Sequence, residues 1–540
     1  MTASPAEIVV ALARAGPVRE RVLAQLVESL VLEDAMEVSG EGGPGTTCGP
    51  FALQFVRTPS FGRVRLTSPV TRDGRPVTPG EFLAEAPIHA DPACRTRLGA
   101  ELAATVLGGA LALARRPRVP LDPGAGHDVL EALTADGHRY HPAYKSRIGF
   151  GVSDLVAYTP EFAPVVRPLL LDAEPGLASV SSAAGLDPAV VWSAPTGRVG
   201  IPVHPWQWEH HVAATHADAL ASGALRVGGP DPDAYRPQAS IRTLACVATP
   251  RRPSVKLPLA ITNTSTSRGL APHTVRNAAP ISDWLAGIVA SDPVLVDKAR
   301  VIVLREILGV TVEPGLGAIW RESLHVHLHP GERAVPFPGL VSRSDDGVPL
   351  IDPWIRAQGT RGWVERLVVA SVLPLVHLLV VHGVALEAHA QNMLLVHAGG
   401  LPTRVALKDF HDGVRFSREL LAAPAPRLEA PPADHPNANS FLETDDPALV
   451  TGFLVDCLCF VNLAEIAWLL AGEYGFAEEE FWAVVARAIR DHADRHPEFA
   501  ARLGTFDVFA PGIGVEKLTT RRLWPDTELR VHTLPNPLSM

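Results

Sequence analysis

Cysteine is scarce in this 540-residue chain, and the few cysteines present form no recognisable pattern. There are five, Cys48, Cys94, Cys246, Cys457 and Cys459, and no two of them make a C-x-x-C pair. An odd, unpatterned set excludes a disulfide framework and offers no cysteine cluster for zinc. We therefore expect a reducing, cytoplasmic environment for the protein.

An excess of positive charge is also missing. The formal net charge is -10 and the isoelectric point is near 6.1, so the protein as a whole has no field that attracts nucleic acid or anionic lipid. The first residues lack the charged segment, apolar core and cleavage site of a secretory signal, and their pattern favours two amphipathic helices. We expect no nucleic-acid partner, and any site for an anion must be local.

Only one hydrophobic run, LVVASVLPLVHLLVVHGVAL at residues 367–386, is long enough to suggest a membrane span. Pro374, His377 and His382 interrupt it and polar residues follow at once, which favours a buried core helix. Hydrophobic residues make up 47% of the chain and charged residues 20%, a balance typical of a well-buried protein. We expect no membrane partner.

Motifs of several common enzyme classes are absent. The chain has neither a G-x-x-x-x-G-K-S/T phosphate loop nor a G-x-S-x-G nucleophile elbow. Its cysteines have no evident histidine partner in the sequence, which disfavours a covalent hydrolase. Chemistry on nucleotide phosphates is the interpretation that remains.

The pattern along the chain predicts a mixed α and β fold in three parts. Residues 1–125 read as mainly helical, residues 126–340 as rich in strands with polar loops, and residues 341–540 as helical again. The predicted helices lie near residues 5–36, 96–115, 361–386, 447–474 and 477–494. Functional side chains are expected in the loops of the middle part.

The stretch VALEAHAQNMLLVHAGGLPTRVALKDFHDG gathers polar side chains around two short apolar runs. Glycines and a proline separate the runs, which predicts a β-hairpin over residues 391–410. Antiparallel pairing then brings Asn392 beside Asp409, with Glu387 and His389 just before the first strand. Oxygen ligands of this kind suit Mg²⁺. Alternatively, the polar residues only terminate the strands and the histidine is half-buried in the core.

The segment KLPLAITNTSTSRGLAPHTVRN is a candidate anion-binding site. Lys256 lies on a predicted strand, hydroxyl residues are concentrated between Thr262 and Ser267, and Arg268 and Arg276 follow. Polyphosphates and polycarboxylates need several charge-assisted hydrogen bonds at once, and these side chains supply such donors. The alternative is a surface loop rich in serine and threonine.

Two more segments, GHRYHPAYKSRIGFGVSD and IPVHPWQWEHH, offer further donors. The first contains His138, His141, Lys145 and Ser153 around a glycine turn, which predicts a small cationic pocket. The second places His204 beside two tryptophans, either as a binding wall or as an aromatic corner of the core. Their spacing matches no zinc-binding helix, so we interpret the histidines as anion donors and not as metal ligands.

Several segments, in this order, resemble the siderophore synthetases that work independently of nonribosomal peptide synthetases, the aerobactin-synthetase-like family. The resemblance runs from about residue 130 to the C-terminus. The segments are GHRYHPAYKSRIGF, IPVHPWQW, KLPLAITNTSTSR, LGAIWRES, EAHAQNMLL, KDFHDG, KLTTRRL and NPL. The resemblance implies a cupped-hand fold with a thumb, fingers and a kinase-like palm that carries the metal-binding hairpin, commonly as a homodimer.

The activity implied by the resemblance is that of an ATP-dependent ligase. A carboxylate, typically citrate or a citrate-like acid, attacks ATP to give an acyl-adenylate and pyrophosphate. An amine or a hydroxyl then displaces AMP and forms an amide or an ester. The cofactors implied are ATP and Mg²⁺.

The residue patterns and the resemblance together predict roles for individual residues. Catalytic roles fall to Lys256, Arg268 and His389. The nucleotide-binding set is Ser153, Thr266, Ser267, Arg268, His389, Asn392, Lys408 and Asp409. The set for the organic acid and its partner is His138, His141, Lys145, His204, Arg276 and Glu387. The Mg²⁺ ligands are Glu387, Asn392 and Asp409.

Two other functions are compatible with the same residues. A small-molecule phosphotransferase would use the Asn392 and Asp409 hairpin equally well, because kinases hold their metal between a loop and the next strand end. A non-catalytic protein that binds citrate or a siderophore would keep only the anion pocket. The products distinguish them, since a kinase releases ADP and the ligase releases AMP and pyrophosphate.

Overall fold

The computed structural model describes residues 5–116, 120–264, 266–432 and 441–540. Helices dominate the first and last parts of the chain, and most strands lie between them. The mixed α and β fold predicted from the sequence is therefore confirmed.

Residues 5–116 form helices that pack on short strands. Asp91 begins the longest of these helices by accepting a hydrogen bond from the Cys94 N–H at 2.9 Å, which satisfies one of the free donors of the first turn. The predicted helix near residues 5–36 is confirmed, with a break at residues 14 and 15. The helices are Pro5–Ala13, Gly16–Leu32, Pro79–Glu85 and Pro92–Arg115, and the strands are Thr47–Cys48, Phe51–Ala52, Phe55–Arg57, Val64–Leu66, Thr71–Arg72 and Arg75–Pro76.

A six-stranded antiparallel sheet is the main feature of the middle part. Its third and fourth strands pair with Ser254 opposite Arg321 and Lys256 opposite Ile319, so two cationic side chains come from neighbouring strands. Glu306 pairs with Arg321 from the other side. The strand order is Tyr235–Pro237, Thr243–Cys246, Ser254–Lys256, Leu316–Arg321, Glu306–Val312 and Ser179–Ser182.

Smaller sheets and short helices surround this sheet. Three strands pair in the order Leu225–Pro230, Leu169–Ala173 and Val199–Val203, and Leu259–Asn263 pairs with Thr266–Arg268. The helical segments are His127–Leu133, Val152–Tyr158, Pro160–Phe162, Pro188–Val191, Pro205–Gln207, Trp208–Val212, Ala213–Thr215, Ala217–Ser222, Pro272–Ser291, Val294–Lys298 and Leu324–Val326.

A four-stranded sheet links the middle part to the last part. Its order is Ile302–Val303, Leu401–Leu407, Met393–Ala398 and Glu332–Pro336, and only the first pair is parallel. Strand pairing therefore crosses the predicted boundary at residue 340, and the domain limits 1–125, 126–340 and 341–540 remain predictions.

The rest of the last part is mainly helical. Two further strand pairs are Val384–Leu386 with Val414–Phe416 and Gly512–Glu516 with Val531–Pro535. The helical segments are Phe337–Leu340, Asp352–Gln358, Thr360–Leu367, Val368–Val372, Leu373–His382, Ala390–Asn392, Arg418–Leu420, Pro447–Leu454, Val455–Leu463, Ala464–Tyr474, Glu478–Arg495, Pro497–Arg502, Thr520–Leu523 and Pro537–Ser539.

Within the described residues, three helices are long and apolar enough to span a membrane by length and composition, Pro92–Arg115, Thr360–His382 and Pro447–Tyr474. In the second, 78% of the most apolar window is buried inside the protein, which confirms the predicted core helix. That helix ends at His382, earlier than expected, because Gly383 adopts a left-handed φ of +77°. Glycine is required there, since an added Cβ would lie 2.6 Å from the Leu420 carbonyl oxygen.

One hydrophobic core joins the two ends of the chain. Leu26 and Phe51 from the first part belong to the same buried cluster as Trp363, Leu379 and Phe481 from the last part. A second cluster lies in the sheets of the middle part. Because burial of apolar surface is the main favourable term in folding, this shared cluster holds the first part against the last, although the two are far apart in the sequence.

The turn of the hairpin between Met393–Ala398 and Leu401–Leu407 provides a test of this packing. Gly399 and Gly400 both have positive φ, but only at Gly400 would an added Cβ meet another side chain, Trp354, at 2.0 Å. Gly399→Ala is expected to cost about 1 kcal/mol through backbone strain. Gly400→Ala should lower the free energy of unfolding by about 3 kcal/mol or more, because overpacking adds to the strain.

Urea unfolding of the two variants beside the parent protein measures both values. Equal losses at the two glycines would contradict the tight contact between the turn and the indole ring.

Candidate active site

One large cavity collects most of the predicted site residues. Its volume is about 1000 Å³, and its walls come from the six-stranded sheet, the hairpin end and the helices after residue 447. The predicted residues that line it are His138, His141, Lys256, Thr266, Ser267, Arg268, Glu387, His389, Asn392 and Asp409. Loops that are distant in the sequence therefore share one hollow.

The predicted hairpin is present and sets the position of the oxygen-bearing residues. Met393 pairs with Leu407, and the Lys408 N–H donates to the Asn392 carbonyl oxygen at 3.1 Å. Asn392 thus lies opposite Lys408, one residue before the expected partner Asp409, and both Asn392 and Asp409 reach the cavity.

Asp409 is held in a strained turn at the end of the second strand. Its φ is +66°, a left-handed conformation that costs a residue other than glycine about 1 kcal/mol or more. A Cβ at Gly413 would lie 2.4 Å from the Asp409 carbonyl oxygen, so only glycine fits there. Strain of this kind is common at functional sites, where the surrounding structure holds it.

Two cations from the six-stranded sheet hold the Asp409 carboxylate. Its Oδ1 lies 2.6 Å from Arg321 Nη1 and 3.3 Å from Lys256 Nζ. Burial alone would raise the pKa of Asp409, but Lys256 and Arg321 outweigh it and hold that pKa well below its usual range. Arg321 also donates to Gln238 Oε1 at 2.7 Å, so the three charges are fixed in place.

Asn392 and Glu387 form a second oxygen-rich group at the cavity wall. The Asn392 Nδ2 donates to the Glu387 carbonyl oxygen at 3.0 Å and to its Oε2 at 3.4 Å. His389 Nε2 lies 3.8 Å from the same carboxylate. The side chains of Glu387 and His389 are 37% and 27% exposed, which leaves them accessible to a ligand in the cavity.

A short hairpin brings hydroxyl and guanidinium donors to the opposite wall. Thr266–Arg268 pairs with Leu259–Asn263, and Arg268 donates to the Asn263 carbonyl oxygen at 3.0 Å. The Arg268 Nε is buried and has no hydrogen-bond partner among the described residues. Burial and then the charge of Arg242 lower the pKa of Arg268 to about 10. This guanidinium therefore remains charged at neutral pH and can donate hydrogen bonds to an anionic ligand.

His138 and His141 present neutral N–H donors to the cavity. His138 Nδ1 accepts the backbone N–H groups of Tyr140 at 3.1 Å and His141 at 3.0 Å, and His141 Nδ1 accepts that of Ala143 at 3.1 Å. Each ring therefore carries its proton on Nε2. Burial lowers the pKa of His138 to about 3 and that of His141 well below its usual value.

Lys145 and Lys408, two predicted ligand-binding cations, are used inside the protein. Lys145 lies 3.5 Å from Glu161, which also binds Arg147, and Lys408 pairs with Glu131. All these side chains are buried. Neither lysine lines the cavity, because a buried carboxylate on a neighbouring segment has taken each of them.

Three more predicted residues lie outside the cavity. Ser153 is exposed on a short helix, and His204 is fully buried and caps a helix with its own ring. Arg276 pairs with Glu429 at 2.8 Å and Glu313 at 3.1 Å. The expectation that all predicted residues share one site is thus corrected for these three and for the two lysines.

Other cavity residues were not recognised from the sequence. Arg242, His411 and Asp456 line the cavity, and Arg321 stands behind Asp409. His411 lies within KDFHDG and Arg321 within LGAIWRES, two of the segments that carry the family resemblance. Their partners come from distant strands, and no local spacing reveals such contacts.

Comparisons with known proteins identify the family to which the chain belongs. A protein-family model, described as the IucA / IucC family, matches residues 127–342. A Staphylococcus aureus synthase, whose name describes a hydroxypropanoate bearing L-alanin-3-yl-carbamoyl and aminoethylcarbamoyl groups, is 37% identical over 97% of this chain and 93% of its own. The chain belongs to the IucA/IucC family of siderophore synthetases. The resemblance seen in the sequence is confirmed, and this member of the family is a ligase of siderophore biosynthesis.

Further relatives cover almost the whole synthetase. The citryl-spermidine/3,4-dihydroxybenzoyl-citryl-spermidine:spermidine ligase of Bacillus anthracis is 34% identical over 96% of this chain and 93% of its own. The crystal structure of petrobactin biosynthesis protein AsbB from Bacillus anthracis has a TM-score of 0.89 at 32% identity and covers 99% of this chain and 98% of its own. A second family model, described as ferric iron reductase FhuF-like transporter, matches residues 361–531.

Asp456 gives the synthetase a pH dependence that can be measured without substrates. Its carboxylate accepts the Glu516 N–H at 2.9 Å, and burial, with the charge of Glu516, raises the pKa of Asp456 to about 8. The unfolded carboxyl ionises near pH ~3.9. Between these values the unfolded chain binds fewer protons than the folded one, so this group lowers stability as pH rises.

Asp456→Asn is therefore expected to stabilise the synthetase, with a gain that grows from about pH 4 to pH 8 and then levels off. The gain at pH 8 should exceed about 1 kcal/mol, since one pKa unit corresponds to ~1.4 kcal/mol. Urea unfolding at a series of pH values measures it, with the exposed Asp445→Asn as control. A gain that does not change with pH would rule out the buried, protonated carboxyl.

Proposed function

We propose that this synthetase uses ATP to adenylate a carboxylate, citrate or a citrate-like acid, and joins it to an amine or a hydroxyl with release of AMP and pyrophosphate. The observation that carries the proposal is the cavity itself. Lys256, Arg268 and Arg242 line it together with the oxygen groups of Asn392 and Asp409.

Electrostatics explains why such a hollow is needed. A carboxylate and a triphosphate repel each other, so the site must neutralise both before they can approach. The whole protein has a net charge of -10, yet Arg242, Lys256 and Arg268 all line this cavity. Only the local charge matters for a ligand inside the cavity, because solvent and salt screen the distant surface.

The nucleotide phosphates fit best against the short hairpin and Lys256. Thr266 and Ser267 supply hydroxyl donors, and Arg268 has a buried Nε without a partner among the described residues. Lys256 Nζ stands beside Asp409. Fixed donors of this kind stabilise charge that develops on a phosphoryl group, and we assign these residues to the triphosphate.

The donor set at the end of the long hairpin fits Mg²⁺. Glu387, Asn392 and Asp409 offer only oxygen ligands, which Mg²⁺ prefers. The Asn392 amide nitrogen is turned to Glu387, so its oxygen faces the other way. Asn392 and Asp409 would hold the ion, with Glu387 at the edge. When bound, Mg²⁺ supplies charge neutralisation for the phosphates.

The organic acid fits against His138 and His141. Their Nε2–H groups are donors whatever the pH in the neutral range, and the buried His141 Nε2 has no partner within the part of the chain that the structure describes. A buried donor without a partner costs ~1–3 kcal/mol. A carboxylate oxygen that accepts the His141 Nε2–H would remove this cost. Glu387 and His389 complete the proposed acid-binding group, close to the proposed nucleotide.

The second substrate is proposed from the relatives. The name of the Bacillus anthracis ligase contains spermidine, and that of the Staphylococcus aureus synthase contains an aminoethyl group. An amine is therefore favoured over a hydroxyl here. The thumb, fingers and kinase-like palm, the homodimer and the cytoplasmic location are proposed on the family likeness alone.

Phosphotransfer is the second candidate, favoured by the position of Asn392 and Asp409, which both reach the cavity from the end of the long hairpin. The two reactions differ in the phosphorus atom attacked. Attack at the α-phosphorus releases pyrophosphate and leaves AMP on the acid, whereas attack at the γ-phosphorus releases ADP. Chromatography of the nucleotide products with citrate and a diamine decides between them.

Arg268→Ala tests the proposed nucleotide site. It should lower kcat/KM for ATP on the order of 100-fold, because a charge-assisted donor to the reacting group is lost, with AMP release as the measurement. Arg305→Ala is the matched control, since Arg305 pairs with Glu322 at 2.7 Å away from the cavity. Equal effects of the two substitutions would show that general charge, and not the site, is responsible.

A further inference from the structure

Three buried side chains form a continuous hydrogen-bonded row behind Asp409. Glu306 Oε1 lies 2.6 Å from His411 Nδ1, and His411 Nε2 lies 3.3 Å from Lys256 Nζ. Lys256 Nζ is 3.3 Å from Asp409 Oδ1. Relative exposure is 1% for Glu306, 3% for His411 and 5% for Lys256, so water does not separate these groups.

The row connects segments that are far apart in the sequence. Glu306 begins the strand Glu306–Val312, Lys256 ends Ser254–Lys256, and His411 follows the long hairpin. Glu306 is held firmly, because its N–H donates to Ser282 Oγ at 2.9 Å and its Oε2 accepts the His411 N–H at 3.0 Å. The carboxylate therefore has little freedom to turn away from the imidazole.

The chemistry of the three groups fixes the direction of the hydrogen bonds. An ionised carboxylate only accepts, so His411 carries a proton on Nδ1 toward Glu306. In the neutral ring Nε2 is then an acceptor, and its hydrogen-bond partner among the described residues is the Lys256 ammonium, which only donates. A proton on Nε2 would place two donors against each other.

We infer that Glu306 and His411 are positioning residues that hold the Lys256 ammonium at Asp409 and aim it at the nucleotide phosphates. The inference rests on the proposed function, because it assigns Lys256 to the nucleotide. His411 does not itself contact the reacting atoms in this arrangement.

Counting donors shows why Lys256 needs this support. An ammonium has three N–H groups. Among the described residues two acceptors meet them, His411 Nε2 and Asp409 Oδ1, which leaves one for a phosphate oxygen. Loss of the imidazole acceptor would remove one of the two contacts that hold the buried ammonium in this orientation.

Two substitutions at His411 separate positioning from packing. Gln places its oxygen where Nε2 stands and keeps an acceptor for Lys256. Asn places its amide nitrogen where Nδ1 stands and satisfies only Glu306. We expect His411→Asn to lower kcat/KM for ATP on the order of 10- to 100-fold, as loss of an orienting contact does elsewhere, and His411→Gln to recover most of that loss.

Rescue by glutamine is a readout that a packing role would not produce, because glutamine and asparagine differ in which neighbour of His411 they satisfy. The matched control is Glu332→Gln, which removes the charge of a carboxylate that pairs with Arg404 on the same long hairpin. It should leave kcat/KM for ATP unchanged.

The tautomer of His411 can be read without turnover. In the resting full-length protein labelled with ¹⁵N-histidine, the His411 signal, assigned by its loss in the variant, should show Nδ1 protonated and Nε2 not. A signal with Nε2 protonated would overturn the inference even if the variants fold poorly.

The kinetic outcomes distinguish failure of the proposed function from failure of the positioning role. If the parent protein forms no AMP with any acid tested, the proposed function fails, and the NMR signal still decides the row of hydrogen bonds. If the parent forms AMP but Asn is as active as or more active than Gln at position 411, the positioning role is wrong and His411 only supports Glu306.

Discussion

The contact of Asp409 with Lys256 and Arg321 is the interaction on which the rest of the site depends. It joins the end of the long hairpin to two neighbouring strands of the six-stranded sheet. Removal of one partner from a buried charge group typically costs ~3–5 kcal/mol. Separation of the hairpin end from the six-stranded sheet would therefore cost a similar free energy. Two cations facing one carboxylate also leave a local excess of positive charge, which is what a polyanionic ligand requires.

The remaining buried charges decide which cations are available to a ligand. Lys145 and Lys408 are each matched by a glutamate on a neighbouring segment, and such pairs hold loops in place without offering a free charge. Arg268 has an Nε with no partner in the described residues. A basic residue near an active site therefore indicates a ligand-binding charge only when no neighbouring carboxylate neutralises it.

The sequence predicted those features that depend on local pattern. The helices, the long hairpin and the cluster around Asn392 follow from periodicity, turn residues and spacing, and the structure contains them. The same reasoning could not foresee that Glu306 meets His411, because the two residues are 105 positions apart. It also could not separate Lys256 from Lys408, since both lie at strand ends and differ only in what packs against them.

Burial keeps the two histidines at the proposed acid site neutral, and neutral donors have an advantage over charged ones there. With Nδ1 occupied by backbone N–H groups, His138 and His141 act as neutral donors, whereas the sequence suggested a cationic pocket. An imidazolium would bind a carboxylate more strongly, but it would also repel the ammonium form of an approaching amine. Neutral N–H donors would hold the proposed acid without that repulsion, which is compatible with the proposal that one cavity serves an acid, a nucleotide and an amine in turn.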